Sequence, residues 1–257
     1  MKLNALKVIY HDVYLTDYPT ASVENPARVV SIMNVLKRHY PAVKPSAAAE
    51  DDILLVHTAS ILDIVKRDPE LYQAAAMAAG GALMAGELAC QGQPTFAAIR
   101  PPGHHASPNS HWGFCFLNNM AMAIEKLIRT RKISQALILD IDLHFGDGTD
   151  NFFRGRKDVV VANIQDDHRG AFLENVDMAL VSNEYDIVAI SAGFDRHVED
   201  WGGTLTTEDY FTIGRSVQEH ASARCDGQYF AILEGGYNVH VLGENALALC
   251  RGMDEPD

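Results

Sequence analysis

The chain carries, at residues 136–148, the stretch Ala136-Leu-Ile-Leu-Asp-Ile-Asp-Leu-His-Phe-Gly-Asp-Gly148. Its first half is apolar on both faces, which is typical of a parallel strand buried between two layers of helices. Alternation along the extended second half puts Asp140, Asp142 and His144 on one side and the leucine and isoleucine side chains on the other. The stretch therefore predicts a central strand that ends in a cluster of ionisable groups.

Other short apolar runs alternate with helical patterns on either side of this strand. The predicted strands are residues 6–10, 95–99, 136–141, 159–164, 187–191 and 229–233, and the predicted helices are residues 70–89, 116–129, 207–224 and 239–249. This rhythm predicts an α/β fold in which one central parallel sheet is flanked by helices on both faces. Residues 41–50 are predicted to be a loop too short to link domains, so residues 1–257 are expected to form a single domain.

Composition and charge narrow the functional classes. The 257 residues are 47% hydrophobic and 21% charged, and the formal net charge is −13. Such an acidic surface argues against binding to nucleic acid or to an anionic membrane, and it is compatible with cationic substrates. No apolar run approaches the roughly 20 residues of a membrane span, and no secretory leader is visible. Four cysteines without close pairing predict reduced thiols and a cytoplasmic location, whereas the oligomeric state is left open.

Four predicted strands are followed directly by glycine turns that carry chemically active side chains. These segments are Arg100-Pro-Pro-Gly-His-His105, Asp140-Ile-Asp-Leu-His-Phe-Gly-Asp147, Ser191-Ala-Gly-Phe-Asp195 and Glu234-Gly-Gly-Tyr237. In an open parallel sheet, ligands bind beyond the carboxyl ends of the strands. The four clusters are therefore expected to converge on one site.

The acidic cluster predicts a metal site. Ionisable groups gathered at the end of a buried strand repel each other or are costly to desolvate, and a bound cation removes that cost. Asp142 and His144, completed by Asp195 from a neighbouring strand, suit Zn²⁺ with an open fourth position, and also Fe²⁺, Mn²⁺ or Co²⁺. The simpler interpretation, a helix-capping aspartate and a core histidine, explains one of these residues but not three.

The adjacent imidazoles of His104 and His105 predict acid–base chemistry beside that metal. Each ring needs a partner that fixes its tautomer, and Asp140 and Asp147 are spare carboxylates in the same region. Two such dyads would supply a general base and a cationic stabiliser. Tyr237 could donate a hydrogen bond to a developing oxyanion.

Six motifs in order resemble those of the histone deacetylase superfamily, which includes acetylpolyamine amidohydrolases and acetoin-utilisation proteins. They are Glu24-Asn-Pro-Ala-Arg28, Arg100-Pro-Pro-Gly-His-His-Ala106, Gly113-Phe-Cys-Phe-Leu-Asn-Asn119, Asp140-Ile-Asp-Leu-His-Phe-Gly-Asp-Gly148, Ser191-Ala-Gly-Phe-Asp195 and Glu234-Gly-Gly-Tyr237. They span most of the chain, and the Arg-Pro-Pro-Gly-His-His run is similar to that of class II deacetylases and their bacterial relatives.

The resemblance implies an arginase-like α/β fold, one Zn²⁺ per chain and a structural K⁺. By this resemblance Asp142, His144 and Asp195 would hold the zinc. His105 would be the general base and acid, and Asp147 would hold it. His104 would be the electrostatic histidine, held by Asp140. Tyr237 would polarise the scissile carbonyl. The substrate-binding positions would be Gly113, Phe114, Phe172 and Trp201, and the monovalent-cation site would be Asp140, Asp142, His144, Asn163 and Ile164.

The implied function is zinc-dependent hydrolysis of N-acyl amides of lysine-like amines, with release of acetate and the free amine. An acetylated polyamine or another small amide is an alternative substrate. A binuclear ureohydrolase of the arginase type shares the fold, but the histidine pair and Tyr237 argue against it. A non-catalytic acyl-lysine binder has no need of both His105 and Tyr237.

Overall fold

The computed structural model describes residues 5–254. Its centre is a sheet of seven parallel strands in the order β2-β1-β3-β7-β6-β4-β5. The strands are β1 (Lys7–Ile9), β2 (Ala42–Val43), β3 (Thr95–Ala97), β4 (Ala136–Asp140), β5 (Val159–Asn163), β6 (Ile187–Ala192) and β7 (Tyr229–Leu233). Every residue of β3, β4, β6 and β7 is buried, as their apolar sequences predict.

Helices cover the sheet on both faces. In chain order they are α1 (Ala27–Leu36), α2 (Glu50–Ile53), α3 (Ala59–Val65), α4 (Pro69–Ala89), α5 (Asn119–Arg129), α6 (Asp147–Phe153), α7 (Arg169–Ser182), α8 (Thr207–Arg224) and α9 (Val239–Asp254). Helix α4 packs on α5 and on β7, whereas α8 packs on α9 and on β7, and α9 also contacts α1. The central strand is thus enclosed between two helical layers, which confirms the predicted α/β architecture.

Differences from the predicted elements have local causes. Helix α5 begins at Asn119 and not at residue 116, because the Asn118 side chain caps it by accepting the backbone N–H of Ala121. The predicted loop at residues 41–50 contains β2, a two-residue edge strand. Helices α1, α2, α3, α6 and α7 were not predicted. Within the described residues, no helix combines the length and the apolar character that crossing a bilayer requires.

Candidate active site

The candidate site lies at the carboxyl ends of β3, β7, β6 and β4, which are neighbours in the sheet. The strands are in register there, since Asp140 pairs with Ser191 and Ser191 pairs with Ile232. The segments that follow them therefore emerge side by side. This arrangement brings the four chemically active segments of the sequence to one edge of the sheet.

Asp142, His144 and Asp195 form the candidate metal cluster. One ligand atom from each lies within 4.8 Å of the others, and both carboxylates are buried. The Nδ1 atom of His144 is 3.3 Å from Oδ1 of Asp142 and 3.1 Å from Oδ2 of Asp195. Hydrogen bonds to these two carboxylates raise the pKa of His144 to about 10.

The charge state of this cluster indicates a cation site. Burial, and next the charge of Asp142, raises the pKa of Asp195 to about 6. In the protein alone, the two buried carboxylates share the proton on Nδ1 of His144. A divalent ion bound by two carboxylates and one imidazole would meet the same demand, so the donor set fits zinc and leaves a fourth position open.

Two glycines shape the space around Asp142. A Cβ on Gly193 would lie 2.2 Å from Oδ2 of Asp142, and a Cβ on Gly235 would lie 2.5 Å from the same atom. The backbone N–H of Gly235 also donates to that oxygen at 2.8 Å. Close backbone approach thus fixes the carboxylate, and only glycine allows it.

The two histidines form two dyads. Nδ1 of His104 is 3.1 Å from Oδ2 of Asp140, and Nδ1 of His105 is 2.8 Å from Oδ1 of Asp147. Each carboxylate thus occupies one ring nitrogen and orients the other toward the cluster side of the pocket.

The dyads differ in electrostatics. Burial by itself lowers the pKa of His104, but the charges of Asp142 and Asp140 outweigh it and hold that pKa well above its usual range. Burial, and next the charge of His104, lowers the pKa of His105 to about 4. His104 is therefore suited to carry a positive charge, and His105 to accept a proton from a reactant.

A small aromatic pocket of about 120 Å³ opens above the dyads and the metal cluster. Its lining residues are His105, Trp112, Gly113, Phe114, His144, Trp201 and Tyr237. Gly113 has φ +60°, and a Cβ there would lie 2.5 Å from Cδ2 of His105, so the chain can pass over the imidazole only at glycine. The sequence-predicted residues Gly113, Phe114 and Trp201 all belong to this pocket.

Tyr237 is held from several directions. Its backbone N–H donates to Oδ2 of Asp200 at 2.8 Å, and its ring stacks on Trp201 with centroids 4.1 Å apart. Burial raises the pKa of the Tyr237 phenol far above its usual value, so the hydroxyl keeps its proton. A protonated phenol at the pocket wall can donate a hydrogen bond to a substrate oxygen.

Trp112 was assigned no role from the sequence, and the structure places it against the His105–Asp147 dyad. Its Nε1–H donates to Oδ2 of Asp147 at 2.9 Å, and its ring stacks on His105 with centroids 3.9 Å apart. The tryptophan thereby contacts both members of the dyad. The sequence signal was its place immediately before Gly113 and Phe114, but the contact with Asp147 spans 35 residues and has no local pattern.

Buried charges beneath the pocket were also unassigned. Arg28 donates from Nε to the Gly236 carbonyl at 2.6 Å and from Nη2 to the Glu234 carbonyl. Oε1 of Glu24 pairs with both Arg28 and Arg100. This network fixes the turn that carries Tyr237, which gives the motif at residues 24–28 a structural role.

Glu234, Cys115 and His104 form a second close group of potential ligands, all of them buried. Oε2 of Glu234 accepts the backbone N–H groups of Gly103 at 2.7 Å and His104 at 3.1 Å. Burial raises the pKa of Glu234 to about 7. These contacts are those of a carboxyl that fixes the backbone of the histidine pair.

Phe172 differs from the expectation. It is fully buried on α7, so it does not line the pocket. Its ring lies instead under the guanidinium of Arg196, 4.9 Å from Cζ. Spacing alone placed it on the pocket wall, but α7 directs this side chain into the core.

The residues of the expected K⁺ site come together, but oxygens of three of them already have donors. Oδ1 of Asn163 accepts the backbone N–H of Gly146 at 2.7 Å, and the Ile164 carbonyl accepts Nη2 of Arg196 at 3.1 Å. The Asp142 carbonyl accepts Nε of Arg196 at 3.2 Å. This arrangement does not fit a bound monovalent ion.

Comparison with known proteins agrees with this geometry. The sequence profile of the histone deacetylase domain matches residues 22–177 and 167–253. The chain belongs to the histone deacetylase family. The family assignment confirms the resemblance carried by the six motifs.

Relatives in the histone deacetylase family align with most of this chain. A probable deacetylase of Methanothermobacter thermautotrophicus is 30% identical, with 90% of this chain and 86% of that protein covered. Acetylpolyamine amidohydrolase 1 of Pseudomonas aeruginosa is 30% identical, with 71% and 62% covered. These names confirm the prediction of a hydrolytic enzyme that acts on amides.

Among solved structures, the crystal structure of the HDA15 HD domain superposes with a TM-score of 0.86 and 23% identity. The match covers 98% of this chain and 91% of that one. It confirms the deacetylase-like fold.

Proposed function

We propose that the protein is a zinc-dependent deacetylase that hydrolyses the acetyl amide of a lysine-like amine and releases acetate and the free amine. The observation that carries the proposal is the small pocket in which His105, His144 and Tyr237 meet beside the Asp142–Asp195 pair. Metal ligands, a proton acceptor and an oxyanion donor are the groups that amide hydrolysis requires.

Asp142, His144 and Asp195 would hold one Zn²⁺, which when bound polarises a carbonyl oxygen as a Lewis acid. Two carboxylates and one imidazole are a suitable donor set with an open position for substrate. The carboxylates are held in place by backbone N–H groups, since Gly235 donates to Asp142 and Leu143 donates to Asp195. The ligands are therefore positioned by the chain itself.

His105 accepts a proton from the attacking water and returns it to the leaving amine. Asp147 holds Nδ1 of the ring, so Nε2 is the reactive nitrogen. The pKa of His105, lowered to about 4 by burial, favours the neutral ring that this first step requires. His104, paired with Asp140, keeps a positive charge beside the reacting centre.

Tyr237 donates its phenolic hydrogen bond to the carbonyl oxygen as negative charge develops there. The aromatic rings of Trp112, Phe114 and Trp201 bound the mouth and suit the aliphatic stem of a lysine-like side chain. Trp112 and Trp201 are 54% and 51% exposed, so both rings lie at the surface end of the pocket.

An acetylated polyamine is the second candidate substrate. The net charge of −13 favours a cationic substrate, and one relative is named an acetylpolyamine amidohydrolase. An arginase-type reaction is less well supported, because it needs two metals and Tyr237 has no part in it. A non-catalytic binding function is also less well supported, because it does not require the two histidine dyads.

The test is deacylation kinetics of the zinc-loaded protein on acetyl-lysine peptides, acetylated polyamines and longer acyl-lysines. Tyr237→Phe is expected to lower kcat by a factor of about 100 to 1,000, as loss of an oxyanion donor does elsewhere. Tyr72→Phe, which removes a phenol outside the pocket, is the matched control. A folded protein with one zinc that binds these compounds without hydrolysing them would refute the proposal, and two manganese ions per chain would favour the ureohydrolase.

Residues 1–257 are proposed to act as one catalytic domain, of which residues 5–254 are described here structurally. Cys90, Cys115, Cys225 and Cys250 are free thiols, which supports a proposed cytoplasmic location. Fractionation of cells that express the tagged protein, with a cytoplasmic and a secreted marker, tests this location.

A further inference from the structure

Arg196 is a buried cation placed directly beneath the candidate metal site. It follows Asp195 in the chain, and its side chain is 1% exposed. Its guanidinium donates to four backbone carbonyls: Nε to Asp142 at 3.2 Å, Nη1 to Asp166 at 3.1 Å, and Nη2 to Leu143 at 3.3 Å and Ile164 at 3.1 Å. Four of the five N–H donors of the side chain thus point at main-chain oxygens.

The charge of Arg196 is balanced mainly by these carbonyl dipoles. Its ion pair with Asp167 is 4.0 Å long, and that carboxylate is 94% exposed to solvent. The ring of Phe172 covers the guanidinium, with 4.9 Å between Cζ and the ring centroid. A ring of backbone carbonyls around a desolvated positive charge is the environment that proteins build for a bare monovalent cation.

Two of these four carbonyls belong to the K⁺ site that the family resemblance implied. The oxygens of Asp142 and Ile164, two of its expected ligands, both accept hydrogen bonds from Arg196. Asp140 is also engaged, since Oδ1 accepts the backbone N–H of Asp142 and Oδ2 faces His104. A metal ion at these oxygens would be repelled by the permanent positive charge of the Arg196 guanidinium.

We infer that Arg196 replaces the structural monovalent ion and acts as a built-in cation. Its guanidinium ties the loop after β4, which carries the proposed metal ligands Asp142 and His144, to the chain after β5. Arg196 is therefore a positioning residue, and the protein is expected to work without K⁺. The inference rests on the proposed function only for its activity measurement, because melting and ion binding do not depend on turnover.

The experiment compares the zinc-loaded protein in KCl, NaCl and tetramethylammonium chloride at equal ionic strength. The melting temperature and kcat of the parent protein are expected to be equal in the three salts. Crystals soaked in Tl⁺, a K⁺ mimic with anomalous scattering, should show no peak among the four carbonyls. A K⁺-specific rise in the melting temperature of the parent, or a Tl⁺ peak at these oxygens, would overturn the inference.

Arg196→Ala tests the replacement directly. It removes the guanidinium donors from four carbonyls and leaves a cavity, so we expect a fall in melting temperature of roughly 10 °C in tetramethylammonium chloride. KCl should restore part of that loss, and a Tl⁺ peak should appear in the cavity. Arg154→Ala, on an arginine whose side chain is 69% exposed, is the matched control. An Arg196→Ala protein that melts like the parent in every salt would also contradict the inference.

Arg196→Lys covers the case in which the alanine variant does not fold. Lysine keeps the charge but offers three donors in place of five, so it satisfies fewer carbonyls. We expect a folded protein with an intermediate melting temperature, no response to K⁺ and reduced zinc retention on dialysis. A lysine variant that K⁺ stabilises would show that the cavity still takes an ion and would refute the replacement.

Discussion

Protonation of His57 should destabilise the protein in mild acid. The imidazole is 3% exposed and joins two parts of the structure. Nε2 accepts the backbone N–H of Asn118 at 2.8 Å, where helix α5 begins. The proton is therefore on Nδ1, which lies 3.1 Å from the Ser107 carbonyl and donates to it. A second proton, on Nε2, would break the bond to Asn118.

The sign and size of the effect follow from the pKa. Burial lowers the pKa of His57 from 6.5 to about 4 in the folded protein. Between these values the unfolded chain binds more protons than the folded one, so stability falls as the pH drops from 6.5 towards 4. Each pH unit in this window removes about 1.4 kcal/mol, which amounts to about 3 kcal/mol over the whole range.

The assay is urea unfolding at several pH values for the parent protein and for His57→Gln. Glutamine can accept the N–H of Asn118 and donate to Ser107, but it does not titrate. Contributions from other groups cancel in the difference between the two proteins. That difference should decline with falling pH by about 1.4 kcal/mol per unit. His39→Gln, which removes an exposed imidazole, is the control variant in the same assay. A parent-minus-variant difference that stays constant across the window would refute the reasoning.

Two further predictions concern the pocket and the metal cluster. Trp112→Phe keeps a ring over His105 but loses the hydrogen bond to Asp147. In steady-state kinetics, kcat should therefore fall about tenfold with little change in KM. An unchanged kcat would contradict this prediction. Gly193→Ala places a methyl group 2.2 Å from Oδ2 of a proposed ligand, so bound zinc measured by mass spectrometry should drop well below one per chain. Gly170→Ala, where a Cβ meets no atom within 4 Å, should retain its zinc, and equal zinc in both variants would refute the clash.

The sequence predicted the central strands because their chemistry is local. Strands such as β4 and β7 are apolar on both faces, and a glycine turn with ionisable residues follows each. Helix α7 was missed although its buried residues Phe172, Val176 and Leu180 recur every four positions, which is a helical spacing. The two residues of β2 are too few to give a pattern at all.

Long-range contacts account for what sequence reasoning could not find. Nothing near Trp112 in the chain indicates that its N–H meets Asp147, and nothing near Arg196 indicates that it is buried. A lone arginine after an aspartate is ordinarily a solvated surface residue. Only the path of the chain after β4 and β5, which brings four carbonyls together, makes that position a cation site.

Three fully buried arginines serve a common purpose in this fold. Arg28, Arg100 and Arg196 all donate to main-chain carbonyls, and the first and last hold the turns that carry Tyr237 and Asp142. Buried ion pairs are seldom the most stable solution, because apolar residues of equal volume often fold at least as well. A guanidinium, however, fixes several carbonyls at once in a planar fork. Their positions therefore argue that these arginines serve to position the turns of the candidate active site, at some expense of stability.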